Sequence, residues 1–214
     1  MIRFILLYFI IFPSILLGQN STGIKLGLGG AFTKVNVSDE TPYYVFSNIL
    51  PAFSISGIYE TGKENYRFAG ECRFLRDGAR YKINNYFNKD HISGAYARYN
   101  AGFTGTYLRV YPLKNKKQSA GVAFGTFVNI NLWDSWRYDN AKAIFYNHSK
   151  ALDSGLHFGG FYRKKISRNR RYVTFSTKIY YALTDTSNHN SKVYTRNIEL
   201  SMAYSWVQKK KKKY

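Results

Sequence analysis

The side chains best suited to acid–base or metal chemistry are four histidines and one cysteine in a chain of 214 residues. Three of the histidines, His91, His148 and His189, lie in polar connecting segments and lack the short spacings of a metal site. His157 follows Asp153 by four residues in a segment of alternating polarity, so the two share one face of a strand. They would still lie about 13 Å apart at about 3.3 Å per residue, which excludes a direct Asp–His pair. The sequence therefore favours a histidine that is hydrogen-bonded to its neighbours.

Catalytic and nucleotide-binding motifs are missing from the sequence. It contains no GxSxG, HExxH or phosphate-loop pattern, and Gly27, Gly29 and Gly30 do not fit the dinucleotide-binding spacing. Cys72 is the single cysteine, so no internal disulfide holds the fold. We predict that the protein is not an enzyme and binds no metal or cofactor. The alternative is a lipid-modifying enzyme of the membrane, for which His157 is the best candidate residue.

Charged residues recur at alternate positions within otherwise apolar segments. Acids and bases on one face of neighbouring strands can pair with each other, and any buried ion needs such a partner. We therefore predict a charge network in an enclosed lumen, formed by Lys25, Arg67, Glu71, Arg73, Lys178 and Glu199.

The elements that must position these residues are segments with a two-residue period of apolar side chains. Aromatics make up 18% of the chain, which favours pleated, half-buried strands. Eight such segments occur, namely GIKLGLGGAF, PAFSISGIYE, YRFAGECRF, AGFTGTYLRVYPL, AGVAFGTFVNINL, LDSGLHFGGFY, YVTFSTKIYYAL and IELSMAYSW. Imperfect alternation in the fourth segment predicts a β-bulge near Tyr107.

The connections between these segments alternate between long and short. Long polar connections are predicted at residues 35–46, 77–94, 133–150 and 185–192, and short basic ones at 61–65, 114–118 and 164–170. This rhythm is typical of an up-and-down meander with loops at one rim and tight turns at the other. The predicted fold class is all-β, an eight-stranded antiparallel up-and-down transmembrane β-barrel.

The period alone does not say which face points outward. The polar face is rich in Gly and Ser, which suits the narrow interior of an eight-stranded barrel. Aromatics near segment ends predict interfacial girdles, from Tyr59, Tyr66, Tyr162, Tyr172, Tyr204 and Trp206. We therefore predict an outward, lipid-facing apolar set that includes Phe124, Val128, Phe175, Leu200, Tyr204 and Trp206. The alternative is a secreted soluble barrel that binds a small apolar ligand, with the apolar face inward.

The two ends of the chain carry separate signals. Residues 1–18 have one arginine, an apolar run and a small Gly18, the layout of a cleaved secretory signal peptide. An uncleaved N-terminal anchor is the alternative. Residues 19–208 are predicted to form the barrel, and residues 209–214 a basic periplasmic tail. The predicted location is the outer membrane of a Gram-negative cell.

Positive charge is concentrated in the short connections and the tail, and the whole chain has a formal net charge of +20. These residues predict a basic periplasmic rim, formed by Lys114, Lys116, Lys117, Lys164, Lys165, Arg168, Arg170, Lys209, Lys210, Lys211, Lys212 and Lys213. The expected partners are outer-membrane lipids, with anionic lipid headgroups or an acidic periplasmic protein at the rim. Nucleic acid is not expected, because the chain is predicted to be exported.

Several stretches in order resemble the small outer-membrane β-barrels of Bacteroidota with the PorT-like domain. They are GIKLGLGGAF, YLRVYPL, AGVAFGTFVNINL, SGLHFGGFY, YYALTDTS and RNIELSMAYSW, and they run from about residue 22 to residue 207. The resemblance implies an eight-stranded barrel of the OmpA and OmpX kind in the outer membrane, without implying one activity. A structural or interaction role through extracellular loops is therefore expected. Insertion would use the outer-membrane assembly machinery, with Trp206 favoured over Tyr214 as the terminal aromatic signal.

Overall fold

The computed structural model describes residues 20–36, 43–63, 65–85, 91–115, 117–138, 144–146, 151–167, 171–184 and 192–207. These residues contain no helix that is long and apolar enough to cross a membrane. The strands are β1 (Ser21–Asn36), β2 (Tyr43–Asn48), β3 (Leu50–Gly62), β4 (Tyr66–Asn85), β5 (His91–Pro112), β6 (Gln118–Tyr138), β7 (Ile144–Tyr146), β8 (Leu152–Ser167), β9 (Arg171–Ala182) and β10 (Lys192–Val207).

Antiparallel pairing joins these strands into one closed sheet. Each long strand pairs with its neighbours along the chain, and β1 also pairs with β10, from Ser21 opposite Val207 to Asn36 opposite Lys192. The short strand β2 extends the line of β3 along β4, and β7 extends the line of β8 along β6. Because β2 and β7 each continue the line of a longer strand, the ten strands form a barrel wall of eight. The predicted eight-stranded antiparallel barrel is confirmed.

The two faces of the wall differ in exposure with the two-residue period of the sequence. In β3, positions from Leu50 to Gly57 alternate strictly between buried and exposed. Inward positions hold small, polar or charged side chains, whereas large apolar side chains such as Leu28, Phe124 and Leu200 point outward. The barrel is therefore polar inside and apolar outside, the reverse of a soluble barrel with an apolar core.

Small inward residues make room for the few large side chains in the lumen. A Cβ atom on Gly125 would lie 2.8 Å from the His157 ring, and one on Gly121 would lie 2.6 Å from the Phe161 ring. Phe161 packs in a small apolar cluster with Leu108 and neighbours, near the short-turn end. Side chains thus fill the interior, as expected for eight strands.

Several expectations about local structure are wrong. The predicted loop 133–150 contains the end of β6, which continues to Tyr138, and the short strand β7. The predicted loop 77–94 is strand over most of its length, because β4 continues to Asn85 and β5 begins at His91. Backbone pairing persists there although the apolar period of the sequence has ended, so a search for that period stops too early. The irregularity expected near Tyr107 lies elsewhere, where β5 meets β6. Tyr99 pairs with Trp133 and Asn100 with Asn131, which leaves Leu132 as the additional residue.

Candidate functional site

The lumen contains buried charged side chains of both signs. Six basic and six acidic residues are buried among the described positions, so their formal charges balance. They form separate clusters along the interior rather than one continuous chain of contacts.

The central cluster joins four of the predicted network residues. Lys25 contacts Glu71, and its Nζ lies 3.0 Å from a carboxylate oxygen of Glu199. Lys178 contacts the other oxygen of Glu71. The Ser54 hydroxyl donates to Glu199 at 2.8 Å. Two lysines are thus matched by two carboxylates, an arrangement that compensates the cost of taking four charges out of water.

Strand register brings this cluster together. Lys25 lies opposite Ser56 on one side and Ala203 on the other, so small neighbours leave its long side chain free to cross the lumen. Gly27 serves the same purpose, because a Cβ there would lie 2.8 Å from the carboxyl carbon of Glu199 and would also meet the Ser54 hydroxyl. Small inward residues next to Lys25 and Glu199 therefore provide the space that these long buried side chains need.

Arg67 lies outside the central cluster, although the sequence placed it in the same network. Its Nε lies 3.2 Å from Glu60, and Arg163 contacts the other oxygen of Glu60 at 2.6 Å. Arg163 also donates to the Thr174 hydroxyl at 3.0 Å. This second cluster sits close to the short β3–β4 and β8–β9 connections, and it holds two cations for one acid.

A third cluster, not predicted as a network, surrounds Arg98. Its guanidinium contacts Asp77 at 3.1 Å and Asp153 at 3.2 Å, and it donates to the Thr195 hydroxyl at 2.7 Å. The Asn100 amide also donates to Asp77 at 3.1 Å. The sequence predicts that Asp153 lies on the inward face of its strand. It places Asp77 in the loop 77–94, and Arg98 falls outside the predicted strand segments.

Arg73 lies inside as predicted, but no described carboxylate is within ion-pair distance of it. One terminal nitrogen donates to Asn129 at 3.1 Å, and the guanidinium carbon lies 4.3 Å from the centre of the Tyr180 ring and 5.6 Å from that of Phe127. Its Nε and Nη1, like the Tyr180 hydroxyl, have no hydrogen-bond partner among the described residues. The aromatic faces supply part of the compensation that a carboxylate would give.

A cavity of about 10 Å³ lies beside the Arg98 cluster. Its lining includes Arg73, Asp77, Asn129, Asp153 and Tyr180. The volume suits about one water molecule and is far below the several hundred Å³ of sites for small organic ligands. This cavity therefore has the size and polarity of a hydration site.

His157 is fully buried, and its Nε2 lies 3.0 Å from the Thr106 hydroxyl. Its ring centre lies 5.3 Å from that of Tyr180. Asp153 forms an ion pair with Arg98 instead. The strand spacing had excluded a direct pair between Asp153 and His157. Among the described residues, no three His, Cys, Asp or Glu side chains are grouped as they would be around a metal ion.

The outer wall contains every residue of the predicted lipid-facing set. Their exposed fractions range from 39% for Val128 to 62% for Leu200, with Phe124, Phe175, Tyr204 and Trp206 between them. Tyr172 is an exception among the expected girdle aromatics. It lies on the inward parity of β9 with its ring 5.9 Å from the Arg163 guanidinium, so it covers the second charge cluster.

One arginine on this outer wall has aromatic neighbours on two sides. Arg109 of β5 lies between Tyr107 and Tyr111, which are both exposed, and pairs across the sheet with Tyr66, the first residue of β4. Its guanidinium carbon is 5.7 Å from the ring centres of both Tyr66 and Tyr111. No described carboxylate forms an ion pair with it.

The described part of the predicted basic rim consists of Lys114, Lys117, Lys164 and Lys165. The backbone N–H of Lys165 donates to the carbonyl of Lys117 at 2.8 Å, so two basic connections meet at one edge. The remaining predicted rim residues lie outside the described residues, namely Lys116, Arg168, Arg170, Lys209, Lys210, Lys211, Lys212 and Lys213. The predicted signal peptide and tail also lie outside them.

No family model and no curated protein matches the chain. Among solved structures, the chain is similar to the outer membrane protein OprG of Pseudomonas aeruginosa, with 6% identity, 88% of this chain and 96% of that chain covered, and a TM-score of 0.52. Neisserial surface protein A shares 15% identity over 86% of this chain and 96% of its own, with a TM-score of 0.49. The similarity to OprG establishes the fold alone, an eight-stranded barrel of the kind found in outer-membrane proteins.

Proposed function

We propose that the chain is an integral outer-membrane β-barrel with a structural or interaction role and no catalytic activity. The observation that carries the proposal is the arrangement of the wall. An outward band of large apolar side chains surrounds an interior in which buried charges are paired. Exposure of this apolar band to water would be unfavourable, whereas lipid chains provide apolar surroundings for it.

The filled lumen argues against a channel. Ion pairs cross the interior at three levels, and Phe127, Tyr180 and His157 occupy space between them. An eight-stranded barrel is only just wide enough for its own side chains. Interaction through the rims or the long connections then remains as the mode of action.

The inverted polarity also argues against the soluble ligand-binding alternative, because such a barrel needs an apolar interior to hold an apolar ligand. A lipid-modifying enzyme is disfavoured by the surroundings of His157. That side chain faces the lumen and contacts Thr106, and among the described residues no carboxylate is hydrogen-bonded to its other ring nitrogen. Its replacement by alanine should leave the lipid composition of the cell unchanged.

The finer parts of the proposal concern export and partners. Residues 1–18 would direct export and be removed after Gly18, and residues 209–214 would extend a basic rim toward anionic headgroups or an acidic periplasmic protein. The PorT-like relationship rests on the sequence resemblance. Trp206, exposed at the end of β10, is the proposed aromatic signal for assembly.

Membrane fractionation tests the proposal directly. After carbonate washing and sucrose-gradient separation, the full chain should remain with outer-membrane fragments and migrate faster on gels when unheated than when boiled. A version lacking residues 1–18 is the matched control and should stay inside the cell. Recovery of the full chain in the soluble fraction would contradict the proposal.

A further inference from the structure

Arg109 combines a charge with a position that the fold alone does not explain. It lies on the apolar outer face, with Tyr66 opposite it in β4, Val122 opposite it in β6 and a second aromatic ring, Tyr111, within cation–π distance. An inward arginine in this barrel finds carboxylates or amides, as Arg98 and Arg73 do. Arg109 has neither among the described residues, and its side chain forms no hydrogen bond or ion pair within that part of the chain.

The level of Arg109 along the wall indicates what that partner is. It pairs with Tyr66, directly after the short turn that contains Lys63, and the Lys63 N–H donates to the Tyr66 carbonyl at 2.9 Å. The residues after Tyr111 form the next short turn, which begins with exposed Leu113 and Lys114. If the barrel spans a bilayer as proposed above, this is the edge of the apolar band, where lipid headgroups lie.

We propose that Arg109, Tyr66 and Tyr111 form a binding site for the phosphate of an anionic phospholipid. A planar guanidinium can donate two parallel hydrogen bonds to phosphate oxygens. The two tyrosine rings hold it in place by cation–π contacts, and their hydroxyls sit at the polar boundary that tyrosine prefers in membranes. The adjacent turn contains both Lys63 and Glu64, whose formal charges cancel, so the proposed site depends on Arg109 itself.

This site is distinct from a diffuse attraction to the basic rim. A diffuse field depends on the number of charges, and therefore Lys114 and Arg109 would count equally. A site depends on geometry, so Arg109 matters far more, and lysine in its place keeps the charge but loses the paired donors. The comparison of Arg109→Gln, Arg109→Lys and Lys114→Gln separates the two accounts.

The experiment measures phosphatidylglycerol bound to the full chain by native mass spectrometry in detergent micelles, with phosphatidylcholine as the zwitterionic comparison. We expect one phosphatidylglycerol to be retained preferentially, with apparent affinity lowered about fivefold in Arg109→Gln. Arg109→Lys should lie between, and Lys114→Gln should match the unaltered protein. Tyr111→Ala provides a second variant that keeps the charge while removing one ring.

Equal losses in Arg109→Gln and Lys114→Gln would overturn the site in favour of a diffuse rim, and unchanged binding in Arg109→Gln and Tyr111→Ala would also overturn it. Each variant is first checked for heat-modifiable gel mobility, so a folding defect is recognised separately. A chain recovered in the soluble fraction would overturn the membrane proposal and this site together. Loss of the site alone leaves the integral barrel standing.

Discussion

Arg73 and Arg109 present the same guanidinium to tyrosine rings on opposite sides of one wall. Arg73 is 4% exposed and contacts Asn129, Tyr180 and Phe127 within the lumen. Arg109 makes cation–π contacts with the outward rings of Tyr66 and Tyr111. The inner side must satisfy polar groups from within the chain, whereas the outer side can leave that to the surroundings. Substitutions on the inner face should therefore change the stability of the barrel, whereas substitutions on the outer face should depend on the surrounding lipid.

The largest effect is expected from Glu71→Gln, because Glu71 contacts both Lys25 and Lys178. Removing the shared carboxylate leaves two buried ammonium groups with one acid, Glu199, and should lower the free energy of unfolding by about 3–5 kcal/mol. Urea unfolding in micelles measures this. Arg109→Gln is the outer-face control and should change stability by less than about 0.5 kcal/mol. Similar losses in the two variants would remove the distinction between the faces.

The outer wall should be most sensitive to charge in the middle of a strand. Phe124 of β6 is 56% exposed, and Phe124→Arg would place a guanidinium against lipid chains at a cost of about 2–4 kcal/mol. Refolding into lipid vesicles at graded urea concentrations measures the cost, with Phe124→Leu as the apolar control. If both variants refold with equal stability, the outer wall does not face lipid.

Glycines on the two faces provide a closely matched pair. Gly27→Ala would press a methyl group into Ser54 and Glu199, and should cost about 1–3 kcal/mol through overpacking. A Cβ on Gly57 meets nothing within 4 Å, so Gly57→Ala should be close to neutral. Thermal gel-shift midpoints of the two variants are sufficient to rank them. A larger loss at Gly57 would mean that the inward face has been misassigned.

The smallest difference is expected for Arg73→Gln in zwitterionic micelles. The change weakens one hydrogen bond and two cation–π contacts, and should cost about 1–2 kcal/mol. Added phosphatidylglycerol should leave this cost unchanged, because Arg73 is sealed inside. A lipid-dependent cost at Arg73 would show that the lumen is open to the surroundings.

Parity in the sequence was enough to place Lys25, Glu71 and Glu199 inside, since each alternates with an outward apolar residue. The two-residue period does not predict which of these residues form ion pairs with each other, because that depends on the register of strands that are distant in sequence. Arg67 was grouped with Glu71 on this account, yet it contacts Glu60.

The Arg98 cluster was missed for a different reason. Asp77 lies in β4 where Arg76 and Arg80 take the outward positions and Leu75 and Ala79 the inward ones, so the apolar-outward alternation that marks the other strands is lost. Backbone pairing continues there without this sequence signal. The inward positions of Phe127 and Tyr180 follow from the sequence period, since each lies two residues from an inward polar residue, Asn129 or Lys178, and so shares its face.

Closure of the barrel by β1 and β10 has a consequence for the order of assembly. Their sixteen paired positions join residues from opposite ends of the sequence, beginning with Ser21 and Val207. Lys25 of β1 and Glu199 of β10 also meet across this seam. Such long-range contacts form slowly, because the whole intervening chain must be organised before they can be made. During folding, the ion pair between Lys25 and Glu199 is therefore expected to be among the last to form, because β1 and β10 can pair only after the final strand is in place.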